Sequence, residues 1–165
     1  MFSKWKQAML LAALVLPVGL TQAAGNIQGK RFGDWGGQCE TAPDNSQVCY
    51  LQQVLSEKGQ KTPLMVTVIG YGQGKKFPTA IFELPKGVDM KQGVQLRVDR
   101  YNPVGFSGKC DNVGCRAGFT LDNPLTQQFS KGKRVLVAFK KHGQKDPIIY
   151  PVSLNGIPQG LQAIR

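Results

Sequence analysis

Glycine and proline divide this chain into short runs, and that punctuation constrains its fold more than any other feature. Of the 20 Gly and 10 Pro, all but Gly19 and Pro17 lie beyond residue 23. They recur about every ten residues between segments rich in β-branched and aromatic side chains, the pattern of an all-β domain with many turns. Phe32 to Cys39, Gln47 to Glu57, Leu64 to Tyr71 and Thr79 to Leu84 read as strands. Val94 to Asp99 alternates strictly, with Val94, Leu96 and Val98 directed to a core and Gln95, Arg97 and Asp99 to water. Cys110 to Leu121 holds the second cysteine pair and then a strand, and Val135 to Phe139 and Ile148 to Leu154 complete the set. Asp122 or Asn123 can cap a short helix over Leu125 to Phe129, and Pro158 to Ile164 can form one or two further helical turns. The expected fold is mainly β: a single-domain antiparallel β-sandwich, or partly closed barrel, with one or two short helices over residues 24–165.

The N-terminus reads as an export signal. Lys4 and Lys6 form a positive head, Ala8 to Leu20 is an apolar run, and Ala23 offers a small residue for cleavage. The run falls short of the roughly 18 apolar residues a spanning helix needs. Residues 1–23 are therefore expected to be a cleavable signal peptide, with the protein periplasmic or secreted. The first cysteine, Cys39, lies too far on for a lipid at the cleavage site.

Export places the four cysteines in an oxidising compartment, where disulfides are the default. Cys39, Cys49, Cys110 and Cys115 allow three connectivities. The local pairs Cys39–Cys49 and Cys110–Cys115 are favoured, with a cross-chain staple such as Cys39–Cys110 as the alternative. There is no C-x-x-C for redox chemistry. Zinc would want closer spacing and histidine help, and His142 is the sole histidine. No metal or other cofactor is expected.

Charge is the remaining strong signal. The chain carries 21 Lys+Arg against 10 Asp+Glu, a net +11. Loss of residues 1–23 removes two lysines and no acid, so the domain itself keeps +9. Such a field attracts anions: lipid headgroups, acidic polysaccharide, nucleic acid or an acidic protein. Lys75, Lys76, Lys131, Lys133, Arg134, Lys140 and Lys141 fall in expected loops and make a candidate anion-binding patch, provided those loops share one end of the sandwich. If they scatter, they only solvate the surface. Nucleic acid is not expected, because no aromatic residues interleave with the basic ones to stack bases.

Catalysis has little support. A Ser-His-Asp hydrolase would need His142 as base, but Lys140 and Lys141 disfavour its protonated form and no nucleophile turn is marked. No catalytic residues are assigned. Asp34-Trp35 falls in the first strand, with Trp35 expected in the core near the Cys39 disulfide.

An ordered set of short motifs resembles the invasion-associated locus B family of exported bacterial proteins. It begins with Phe32-Gly33-Asp34-Trp35 and Cys39, then Cys49 with Gln52 or Gln53. Leu84-Pro85-x-Gly87-Val88, Gln92-Gly93-Val94 and Val98-Asp99 follow. Cys110 with Gly114-Cys115 and Pro151-Val152-Ser153-Leu154-x-Gly156 close it. The resemblance implies an exported β-rich domain linked to host-cell invasion, with no catalytic or cofactor residues to carry over. The matching glycines fit turns, and Ser153 fits a local backbone hydrogen bond. The resulting expectation is a non-enzymatic, disulfide-stapled β-sandwich of the bacterial envelope. Its partner would be an envelope or host-surface macromolecule, anionic in character, and peripheral contact with a membrane is compatible with this. The alternative is a periplasmic accessory or chaperone-like protein that binds polypeptides at a sheet edge, motivated by the apolar Leu64 to Tyr71 run. A small hydrolase is a third reading.

Overall fold

The computed structural model describes residues 26–165, and the expected signal peptide lies outside them. Its strands are β1 (Arg31–Phe32), β2 (Trp35–Thr41), β3 (Gln47–Leu55), β4 (Met65–Gly70), β5 (Thr79–Leu84), β6 (Val94–Val98), β7 (Val104–Phe106), β8 (Gly108–Cys110), β9 (Cys115–Thr120), β10 (Arg134–Phe139) and β11 (Ile148–Ser153). Helix α1 (Asn123–Lys131) precedes β10, and α2 (Ile157–Ala163) follows β11. A seven-stranded sheet runs β1-β2-β3-β4-β5-β9-β8, and a four-stranded sheet runs β11-β10-β6-β7, both antiparallel throughout.

Alternation sets the core. In β4, β5 and β6 every second residue is buried, which directs Ile69, Phe82, Leu96 and Val98 inward. β10 and β11 add Val135, Val137, Phe139 and Val152. Phe106 of β7 sits 5.5 Å from Phe82 and 4.8 Å from Phe119, so one aromatic cluster joins the two sheets.

Helix α1 is capped by Asp122, whose carboxylate accepts from the Leu125 N–H, and it buries Leu125 and Phe129. In α2, Gly160 lies against Leu51; a Cβ there would stand 2.5 Å from Leu51 Cδ1.

The structure departs from the sequence reading in three places. The Phe32 to Cys39 run is two strands, because Gly33 (φ +55°) and Asp34 turn the chain between β1 and β2. Strand β7 has no counterpart in the sequence reading, and neither does β8, which carries Cys110 across a hairpin from β9. At three residues each, β7 and β8 are too short to show alternation. Strand β4 is interior to its sheet, paired with β3 over Met65–Gly70 and with β5 over Val66–Gly70. The Leu64 to Tyr71 run therefore offers no free edge to a polypeptide.

Both local disulfides are present: Cys39–Cys49 and Cys110–Cys115. Each joins residues directly opposite in register, on β2 and β3 and on β8 and β9. Cross-strand neighbours on one face bring their Cβ atoms within bridging reach, so the register itself selects these pairs.

Candidate anion-binding groove

A groove of about 800 Å³ opens where β6 ends and β10 begins. That volume lies within the usual range for ligand sites. Arg97, Asp99, Arg100, Tyr101, Lys133, Arg134 and Leu136 line it. Arg97 faces outward because β6 alternates, and it lies directly across the ladder from Leu136. Arg134, two residues before Leu136, shares that outer face.

Asp99 organises the groove. It follows β6 in a tight turn, in which the Tyr101 N–H donates to the Val98 carbonyl. Its φ is +42°, one of only two non-glycine residues with positive φ among the described residues. That backbone is strained for an aspartate, and three hydrogen bonds hold it. The Asp99 N–H donates to the Arg134 carbonyl at 3.1 Å. Its carboxylate accepts from the Lys133 N–H at 2.9 Å and the Arg134 N–H at 3.1 Å. The turn bearing Arg100 and Tyr101 is thereby fixed against the start of β10. Four cations line the groove against this one acid, whose oxygens are occupied by backbone donors.

The seven basic loop residues do not form one patch. Only Lys133 and Arg134 line the groove. Lys131 is exposed in the last turn of α1. Lys140 and Lys141 follow the far end of β10, whose six residues separate them from Arg134 by about 20 Å. Lys75 and Lys76 sit on the β4–β5 loop, where Lys76 Nζ stands 5.4 Å from the centre of the Phe77 ring. Sequence reasoning missed Arg97, Arg100 and Tyr101. Alternation did put Arg97 on the outer face, but its neighbours come from a strand pairing the sequence does not state.

Other candidate residues have structural roles. Trp35 is fully buried, and its indole N–H donates to the Ser153 carbonyl at 2.9 Å. Asp34 accepts from the Ser153 hydroxyl at 2.6 Å, and that hydroxyl accepts in turn from the Asn155 N–H. The Asp34 N–H donates to the Asn155 carbonyl. Gly156, at φ +95°, allows the Phe32 carbonyl to approach where a side chain would stand. The first and last motif segments thus form a single knot. Beside it, the Gln53 side chain hydrogen-bonds the Ser153 N–H and carbonyl, both on the outer edge of β11.

His142 is exposed in a turn, with Asp89 as its charged neighbour at 3.8 Å. The Gln92 amide, opposed in part by desolvation, and then the Lys91 N–H and His142 hold the Asp89 carboxyl below its ordinary value. The Glu40 carboxylate pushes the Tyr50 hydroxyl up to about 12. No group of three metal-ligating side chains occurs among the described residues. A second cleft, of about 930 Å³, surrounds Cys110–Cys115. Its charges are mixed, with Glu83 and Asp111 among Lys86, Lys109 and Arg116, and Val113 at its rim is 84% exposed.

The family model described as "Invasion associated locus B (IalB) protein" matches residues 35–165. Among solved structures, the crystal structure of invasion associated protein B from Bartonella henselae is similar, with a TM-score of 0.72 and 17% identity. That likeness covers 82% of this chain and 94% of the other, and at such identity it speaks to fold alone. No curated protein matches.

Proposed function

Because the chain belongs to the invasion associated locus B family, we propose that it is an exported, non-enzymatic binding module of the bacterial envelope with an anionic envelope or host-surface component as its partner. The observation that carries this reading is the groove at the β6–β10 corner. Four cationic side chains converge there on an open space, and the acid among them is committed to backbone donors. Cations gathered around a cavity repel one another, and a bound anion relieves that repulsion. Two hairpin disulfides and an expected signal peptide over residues 1–23 support an exported, oxidised state in the periplasm or beyond it.

The test is a pull-down. Protein recovered after export of the full chain is immobilised and exposed to envelope extract and to host-cell surface extract, at low and near-physiological salt. A specific module retains one partner at the higher salt. A smear of anionic material that washes away means exposed charge alone, since screening weakens contacts between solvated ions.

A further inference from the structure

The groove combines charge with an apolar surface, and that combination narrows the ligand. Arg97 and Arg134 stand on neighbouring strands on one outer face. Leu136, half-buried, lies directly opposite Arg97. Tyr101 lines the same space with its side chain about half exposed, at 49%. Guanidinium groups grip carboxylate and sulfate as planar forks, whereas an ammonium acts as a point charge. An aromatic ring and an aliphatic side chain suit the C–H face of a sugar ring. A lipid surface would instead call for several protruding apolar residues among the cations, and in this lining Tyr101 is the single exposed one while Leu136 is half-buried. A nucleic acid strand would call for aromatic residues in series, and Tyr101 stands alone in the lining.

We propose that the groove binds an acidic polysaccharide. A sugar ring lies against Tyr101 and Leu136, Arg97 and Arg134 hold its carboxylate or sulfate groups, and Arg100 and Lys133 meet the next charges along the chain. This rests on the reading of the protein as an anion-binding module and specifies its partner. Asp99 is a positioning residue, since its hydrogen bonds keep Arg100 and Tyr101 in register with Lys133 and Arg134.

The experiment is isothermal titration of the exported protein with four probes. They are a sulfated heparin tetrasaccharide, a polygalacturonate tetramer, neutral dextran, and vesicles of phosphatidylglycerol in phosphatidylcholine. Binding of one or both acidic sugars, without dextran, is expected. Arg97→Gln with Arg134→Gln lowers that affinity roughly tenfold or more, as loss of charge-assisted hydrogen bonds implies. Arg97→Lys with Arg134→Lys keeps the charge, loses the fork and falls between. Lys140→Gln with Lys141→Gln removes equal charge at the other end of β10 and changes affinity less than about twofold. Tyr101→Ala weakens sugar binding without altering its salt slope. Equal losses in the two glutamine pairs overturn the site in favour of the overall field. Binding to vesicles with none to sugars overturns the ligand class. If both acidic sugars fail while the pull-down still holds a partner, the polysaccharide falls and the module stands. An empty pull-down takes both away.

Discussion

Gln53 shows how much one side chain can do at a sheet edge. Strand β11 ends its sheet, so the Ser153 N–H and carbonyl have no strand neighbour on that side. The Gln53 amide supplies an acceptor at 2.8 Å and a donor at 3.1 Å, as a twelfth strand would. Gln53→Leu preserves bulk and strands the Ser153 N–H, while the carbonyl keeps Trp35. A loss of about 1–3 kcal/mol is expected in urea unfolding, with faster hydrogen exchange at Ser153. An unchanged exchange rate would show that water substitutes freely. The sequence conceals this contact because the partners lie 100 residues apart. Trp35 was legible, since a large aromatic residue beside a strand is usually core. Arg97 was half legible: alternation assigned its face and could not name Leu136 as its neighbour. Gly160 gives a second residue-level outcome. Its Cβ would press on buried Leu51, so Gly160→Ala should lower stability by about 1–3 kcal/mol, read as a fall in the urea midpoint.

At the scale of elements, long strands were readable and short ones were not. β4, β5, β6 and β10 span five or six residues, enough for two or three turns of alternation. β1, β7 and β8 span two or three, and only their pairing defines them. The β8–β9 hairpin is held by Cys110–Cys115 and by Asp111 inside the disulfide loop. The Asp111 carboxylate accepts from the Gly114 and Val113 N–H groups, and these bonds hold its pKa below the ordinary 3.8. A carboxyl lowered in the folded state stabilises above its unfolded value and loses that contribution as pH falls through the lower, folded one. Asp111→Asn should therefore blunt the loss of stability as pH falls below about 4 and change its slope little above about pH 5. Urea unfolding across that range tests it; an unaltered acid limb would place the sensitivity elsewhere. Replacing Cys110 and Cys115 together by serine should lower stability by about 2 kcal/mol, as expected for so short a loop.

For the whole molecule, net charge was legible from composition, whereas the arrangement of charge was not. Seven loop cations looked equivalent in the sequence, yet β10 separates two groups of them by its full length. The groove draws on Arg97, Arg100 and Tyr101 because β6 pairs with β10 across more than thirty residues of intervening chain. Whether the leader is removed is decided by intact mass. The exported protein should begin at Ala24, and a mass that retains residues 1–23 would make that segment an anchor.

The knot of Trp35, Asp34 and Ser153 also bears on the order of folding. Trp35 bonds a residue 118 positions later, whereas Cys39–Cys49 spans 10 and Cys110–Cys115 spans 5. Contacts between distant parts of a chain are slow to form, so in refolding with both disulfides kept intact the two hairpins close well before the indole is sequestered. The sequence holds two tryptophans, Trp5 and Trp35, and cleavage after Ala23 leaves only Trp35. A protein processed there carries a single tryptophan, placed at a seam between segments 118 positions apart. During refolding its emission should shift after the hairpins have locked, which makes ordinary fluorescence a direct clock for the closing of that seam.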